Sequence, residues 1–371
     1  MHRLELPIRR PAAPLVVVAQ SAMGRHVSTL GSLDGRGRLN GAALPMFAGR
    51  MAHLRELWCE VGLTPPAAPL AFPAALRLLN IQLDGTDAAH VNAAIAAIGQ
   101  LSLLGDLTIW PPPELTPLIS FAPLVGLPRL RRLAVLRQWS EGDFSHAQVD
   151  ELRQMPQLQK VDLNITPPLL RRLLRQPHQL QWQQISLPDQ LDSETAALLP
   201  QLPSLTAIDA VATCERFEWL RGLPDLTTVD LSFDGDDGGP GRGASLVAGL
   251  QHCASIEILR LSNCADLSAD QLAELLPRLP RLRELTLDNL RIESLAFLAQ
   301  PPLISQLSRL ELFDCGRLPL AELRHVHPLR GLSHLTLRRS FTAPLDAASR
   351  SQLTPPSPLL PALEAFDCGE I

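Results

Sequence analysis

Apolar residues recur along this chain in the pattern L-x-x-L-x-L. The clearest copies are Ile256-x-x-Leu259-x-Leu261, Leu282-x-x-Leu285-x-Leu287, Leu307-x-x-Leu310-x-Leu312 and Leu332-x-x-Leu335-x-Leu337. Close behind are Leu130/Leu133/Val135, Leu158/Val161/Leu163, Leu205/Ile208/Ala210 and Leu226/Val229/Leu231. Weaker copies sit at Leu54/Leu57/Cys59, Leu76/Leu79/Ile81, Leu104/Leu107/Ile109, Trp182/Ile185/Leu187 and Leu363/Phe366/Cys368. The central position therefore falls at 57, 79, 107, 133, 161, 185, 208, 229, 259, 285, 310, 335 and 366, with a mean spacing of about 26 residues. The L-x-L half alternates, so each copy predicts a short strand that buries two or three side chains on one face. Polar, Pro and Gly residues follow each copy, and several then take helical spacing. Ser268 is the predicted N-cap of a helix over Ala269–Leu276, with Leu272, Leu275 and Leu276 on one face and Pro277 and Pro280 ending it. Leu-Pro-x-Leu openings at Leu127, Leu202, Leu223 and Leu279 stiffen the turn into the next strand. One such unit cannot bury its apolar face alone, so the units must stack.

Composition agrees with a thin, layered array. The 371 residues are 46% hydrophobic but only 4% aromatic, with 34 prolines and no tyrosine, so leucine fills the core. The length would otherwise suit two or three globular domains. A formal charge of −5 argues against a nucleic-acid binder, which needs a basic face. No apolar run is long enough to span a membrane. Arg9 and Arg10 precede a short apolar run, Leu15–Ala19, but Pro11 and Pro14 break it up as a secretory signal. The six cysteines are dispersed without CxxC pairs, which reads as buried reduced thiols in the cytoplasm, with the nucleus as second choice.

Over residues 51–371 the chain resembles the leucine-rich repeat family. The segment Cys253-Ala-Ser-Ile256-Glu-Ile-Leu259-Arg-Leu261-Ser-Asn-Cys264 is similar to the cysteine-containing subtype, with Cys264 and Cys315 at the position where that family bonds loop backbone. Asp84, Gln138, Thr166, Asp234, Leu290 and Ser340 take that position elsewhere, so the repeats are expected to be irregular. The resemblance implies an α/β fold: a right-handed leucine-rich repeat solenoid, or horseshoe, of about 13 repeats. A parallel sheet would line its concave face and short helices and irregular turns its convex face. It also implies an association with F-box substrate receptors of ubiquitin ligases. Residues 1–50 are too rich in Pro and Gly for an F-box and read as an N-terminal cap or degenerate repeat around Val27, Leu30 and Leu33.

On that architecture the outward strand positions form the candidate binding face. The residue after each anchor gives Trp58, Asn80, Thr108, Ala134, Asp162, Ser186, Asp209, Asp230, Arg260, Thr286, Glu311, Thr336 and Asp367, with Trp110 in a flanking column. Trp58, Trp110, Asp162, Asp209, Asp230, Arg260 and Glu311 are the candidate partner-binding residues, since exposed aromatics and a run of like charge favour a protein partner. Asp234–Gly243 reads as a flexible surface insertion, since it lacks the glutamate of a calcium loop and the Lys-Ser/Thr of a phosphate loop. His325 and His327 are expected on one face of a strand without a third ligand. No nucleophile motif and no cofactor motif occurs, so the expected function is a non-enzymatic scaffold that binds protein, without metal or cofactor. The leading specific expectation is a ubiquitin-ligase substrate receptor or adaptor. The alternatives are a structural subunit of a larger assembly and a secreted recognition protein. The sequence ends near a strand at Cys368, so that C-terminal edge is expected to be covered by a partner or by a further segment.

Overall fold

The structure, a computed structural model, describes residues 2–6, 27–32, 38–40, 48–63, 70–136, 144–163, 165–175, 180–234, 241–316, 318–342, 345, 347–355, 357 and 359–368. The chain divides into two units, Met1–Ile185 and Ser186–Ile371. In the first, β1 (His2–Leu6), β2 (Val27–Ser32), β4 (Glu56–Gly62), β5 (Leu78–Asp84), β6 (Asp106–Trp110), β7 (Arg132–Val135) and β8 (Lys160–Leu163) lie side by side in chain order, and β3 (Arg38–Asn40) also pairs with β4. Strand β9 (Gln184–Leu191) begins there and runs into the second unit. It is followed in order by β10 (Ala207–Ala212), β11 (Thr228–Phe233), β12 (Ile258–Ser262), β13 (Glu284–Asp288), β14 (Arg309–Phe313), β15 (His334–Arg338) and β16 (Ala365–Asp367). The pairings described within each unit are parallel.

Every anchor expected from the sequence is the second residue of a strand, from Leu57 in β4 to Phe366 in β16. Anchors also pair with anchors: Leu57 with Leu79, Leu107 with Leu133, Leu259 with Leu285, Leu310 with Leu335. In the N-terminal segment Leu30 pairs with Leu57, so the backbone of β2 continues that register. Burial explains the lock. Leu79 and Ile81, like Leu285 and Leu287, are fully buried, and a one-residue slip would turn such a pair outward. The strand entrances add a second lock, in which two successive N–H groups share one carbonyl of the preceding repeat. Gly105 and Asp106 donate to Arg77 in this way, and Arg283 and Glu284 donate to Glu257.

Helices and 3-10 turns connect the strands. The helices are α1 (Ala88–Ile98), α2 (Ala122–Val125), α3 (His146–Arg153), α4 (Pro167–Leu174), α5 (Ser193–Ala196), α6 (Arg242–Leu250), α7 (Ala269–Leu275), α8 (Pro301–Gln306) and α9 (Ala347–Leu353). Ser268 caps α7 in a capping box with Gln271, and the helix ends at Leu275, one residue short of the expected Leu276, where a 3-10 turn, Leu276–Arg278, takes over. Carboxylates tie one connection to the next. Glu151 of α3 accepts from Ser120 Oγ (2.8 Å) and Phe121 N (2.6 Å) at the start of α2. Glu322 does the same for Ser294 Oγ (2.6 Å) and Leu295 N (2.8 Å). Each satisfies a backbone donor that the short helical turn beside it leaves unpaired.

Two local expectations change. His325 ends a 3-10 turn, Leu320–His325, and His327 lies in the turn after it, so neither is on a strand; His325 Nε2 accepts from Arg324 Nε at 3.1 Å and lies 3.8 Å from Glu322. Of the expected surface insertion, residues 235–240 lie outside the described residues, while Arg242 and Gly243 begin α6. A Cβ on Gly243 would meet Asp266 O at 2.7 Å, so glycine lets the helix approach the neighbouring loop.

Candidate functional site

Alternation gives each unit an outward strand face. In β4, β5 and β11 every buried residue is followed by one that is half-buried or exposed, apart from the ends. In the second unit Asp209, Asp230, Arg260, Thr286 and Glu311 stand in one row across β10 to β14, because their backbones are register partners. The row is largely paired within itself. Asp209 accepts from Ser186 Oγ at 2.9 Å and is exposed. Asp230 lies 3.7 Å from Arg260, whose other nitrogen is 3.6 Å from Glu284. Glu311 takes Arg309 at 2.8 Å and the Thr286 hydroxyl at 2.9 Å. Burial, then the neighbouring Asp209, push the Asp230 carboxyl above its ordinary value, and Arg260 opposes them.

The first unit presents a different face. Trp58 on β4 and Trp110 at the end of β6 are half-buried, not fully exposed as their positions suggested. Trp110 Nε1 donates to Asn80 Oδ1 at 3.1 Å, which fixes the indole plane. Asp162 on β8 is half-buried and engaged. Asp106 and Arg132 pair at 3.0 Å. Beside Trp110 a cavity of about 290 Å³ opens between the ends of β5 and β6, lined by Gln82, Asp84, Pro111, Pro113 and Glu114 among others. Sequence reasoning found Trp110 but not the rest. The signal was the unbroken run Pro111-Pro112-Pro113 directly after a strand, where no residue can donate to a ladder.

The cysteines behave as a structural column. Cys315 Sγ lies 3.1 Å from Leu287 O and 3.3 Å from Phe313 O, and its N–H donates to Ser340 Oγ. Cys264 Sγ contacts Asp266 Oδ1 at 3.6 Å. Burial pushes both thiols up to about 12, which suits packing and not nucleophilic chemistry. Among the described residues no three metal-ligating side chains cluster, and no helix is long and apolar enough to cross a membrane.

No family model and no curated protein matches the sequence. Solved structures do resemble the fold. Rad7 in the yeast Rad7–Elc1 complex aligns with a TM-score of 0.50 at 15% identity, covering 74% of this chain and 82% of that one. The internalin InlF of Listeria monocytogenes gives 0.39 at 14% identity over 97% and 95% of the two chains. TLR13 in its complex with ssRNA13 gives 0.47 at 15% identity over 87% and 50%. At such identity the likeness concerns the fold alone. With parallel strands in chain order, anchors in register and short connecting helices, the chain has the leucine-rich repeat fold.

Proposed function

Starting from that fold, we propose that the chain is a non-enzymatic scaffold that binds a protein partner on the outward face of its strands. The observation that carries this reading is that each unit holds outward side chains in register on strands whose other face is buried: a polar, charged row in the second unit, and Trp58 and Trp110 in the first. Such a row sets charge and shape along tens of ångströms at little entropic cost, because the strands do not reorganise on contact. Trp58, Trp110, Asp162, Asp209, Asp230, Arg260 and Glu311 are the proposed contact residues. A finer reading, a ubiquitin-ligase substrate receptor or adaptor, rests on the sequence resemblance at Cys264 and Cys315. Recurrent recovery of a ligase-adaptor subunit with the purified chain supports it, and consistent absence removes it. The proposed compartment is the cytoplasm, since all six cysteines are free and five are buried.

The test is capture of partners by the tagged chain, read by mass spectrometry, with Asp209→Arg as comparison. Asp209 is exposed, so reversing it changes the central charge without disturbing the core. Asp230 is left in place, because its reversal would set a second cation against Arg260. Loss of a partner with Asp209→Arg assigns the row as the contact surface. An unchanged set of partners overturns that assignment.

A further inference from the structure

The cavity beside Trp110 has a structural cause and a definite chemistry. Strand β5 outruns β6 by two residues: the β5–β6 ladder ends where Gln82 meets Trp110, whereas Leu83 and Asp84 continue in register with Val61 and Gly62 of β4. Pro111, Pro112 and Pro113 follow Trp110. None has an N–H to carry the ladder on, and the chain turns into a 3-10 segment, Pro113–Leu118. The step between the two strand ends is the cavity.

Its walls are rigid, and among the described residues that line it the charge is of one sign. Trp110 supplies an aromatic ring whose orientation is already set by the Asn80 bond, and the prolines add apolar surface with few rotamers to lose. Among the described residues, Glu114 and the already engaged Asp84 supply the formal charges, Gln82 supplies an amide, and no lysine, arginine or histidine lines the space. Glu114 is exposed and makes no ion pair among the described residues. An anionic ligand would face two carboxylates. A purely apolar ligand would strip water from them without replacing its hydrogen bonds. A volume of about 290 Å³ holds one long side chain and not a folded element.

We propose that this cavity receives an arginine side chain of the protein partner, its guanidinium stacked on Trp110 and hydrogen-bonded to Glu114. The inference rests on the reading of the strand face as a partner-binding surface and names the chemistry of one contact on it. Guanidinium fits better than ammonium because it is planar, stacks on an indole and presents paired donors to a carboxylate.

The experiment titrates the full chain with acetyl-Gly-Arg-Gly-amide and follows the indole N–H resonance of Trp110, identified by its loss in Trp110→Phe. The expected result is a saturable shift of that resonance in the low-millimolar range. The citrulline analogue, of the same shape but uncharged, should bind roughly ten-fold more weakly, and Glu114→Gln should weaken the arginine peptide several-fold. Because Glu114 is exposed, that variant keeps its thermal midpoint and its result does not depend on refolding. No saturable shift at Trp110, equal binding of the citrulline peptide, or indifference to Glu114→Gln overturns the proposal. A lysine peptide that binds as tightly overturns the guanidinium assignment. The probe is a defined peptide, so failure here removes this site alone. Failure of the broader reading is read separately, from partner capture by the Asp209→Arg chain.

Discussion

The repeats around β12 to β15 and those around β4 to β8 carry the same core motif and end their strands differently. Each of β12, β13, β14 and β15 has five residues and exits into a residue with positive φ: Asn263 at 61°, Asn289 at 52°, Asp314 at 47° and Arg339 at 52°. The N–H groups of the first three then donate to the carbonyl that ends the next strand, at 2.8 to 3.0 Å. The same turn in each repeat closes the strand ends flush. Strands β4 to β8 have seven, seven, five, four and four residues, and no described residue of the first unit has positive φ. Unequal exits leave a step, and the cavity beside Trp110 stands at the largest of them, between β5 and β6. A core motif therefore fixes the register, and the turn after it decides whether the surface is smooth or notched.

The largest effect tests whether the core is common to both regions. Leu107 and Leu285 are equivalent anchors, each fully buried. Leu107→Ala and Leu285→Ala should each cost about 2–5 kcal/mol, from lost burial plus the cavity left behind. Chemical denaturation monitored by circular dichroism measures both. A loss below about 1 kcal/mol at one anchor and a full loss at the other would mean that the two regions do not pack alike.

A smaller effect separates the two carboxylate ties. Glu322 is buried and serves Leu295 N, itself buried, so Glu322→Ala leaves a donor without water and should cost about 2 kcal/mol. Glu151 is half-buried and solvent can replace it, so Glu151→Ala should cost nearer 1 kcal/mol. Glu322 also carries a pH signature. The Ser294 hydroxyl, then the Leu295 N–H and the nearby His325 and Arg324, hold its carboxyl below the ordinary 4.5 against the cost of burial. A carboxyl depressed in the folded state adds stability at and above the unfolded value and loses it as pH falls through the folded one. The gap between the native chain and Glu322→Ala should therefore narrow as pH falls below about 4.5. Equal costs for both substitutions, or a gap that does not narrow in acid, would remove the distinction.

The strands were legible from the sequence because two features coincide at each anchor: alternation, and a repeat length that brings anchor beside anchor. Even weak copies such as Leu54/Leu57/Cys59 and Leu363/Phe366/Cys368 read correctly, since burial on one face needs only apolar character, not leucine. The outward residues were placed on the right strands, and the order of the column makes Asp209, Asp230, Arg260, Thr286 and Glu311 neighbours as the register does. What the column could not show is which side chains pair, such as Asp230 with Arg260 at 3.7 Å and Arg260 in turn with Glu284. His325 was misplaced because a 3-10 turn has no periodicity long enough to see in a six-residue stretch. The cavity was missed because it is made by a difference in length between two strands, which no single motif records.

The smallest effect addresses the turns themselves. A non-glycine residue in the left-handed region pays about 1–2 kcal/mol of steric strain, less for asparagine, whose short side chain bonds locally. Arg339 has φ 52° and is exposed, and it pairs with the half-buried Asp314 at 2.7 Å. Such a pair contributes well under about 1 kcal/mol. Arg339→Gly therefore removes more strain than it loses in attraction, and after the added flexibility of the unfolded chain it should stabilise by about 0.5 kcal/mol. Asn289 has the same φ but tolerates it, and its Nδ2 donates to Asn263 Oδ1 at 2.8 Å. Asn289→Gly should accordingly be neutral or lose about 0.5 kcal/mol. Thermal midpoints of the two variants decide it. If both glycines stabilise equally, the Asn289–Asn263 bond contributes nothing, and the regular region is held flush by its backbone alone.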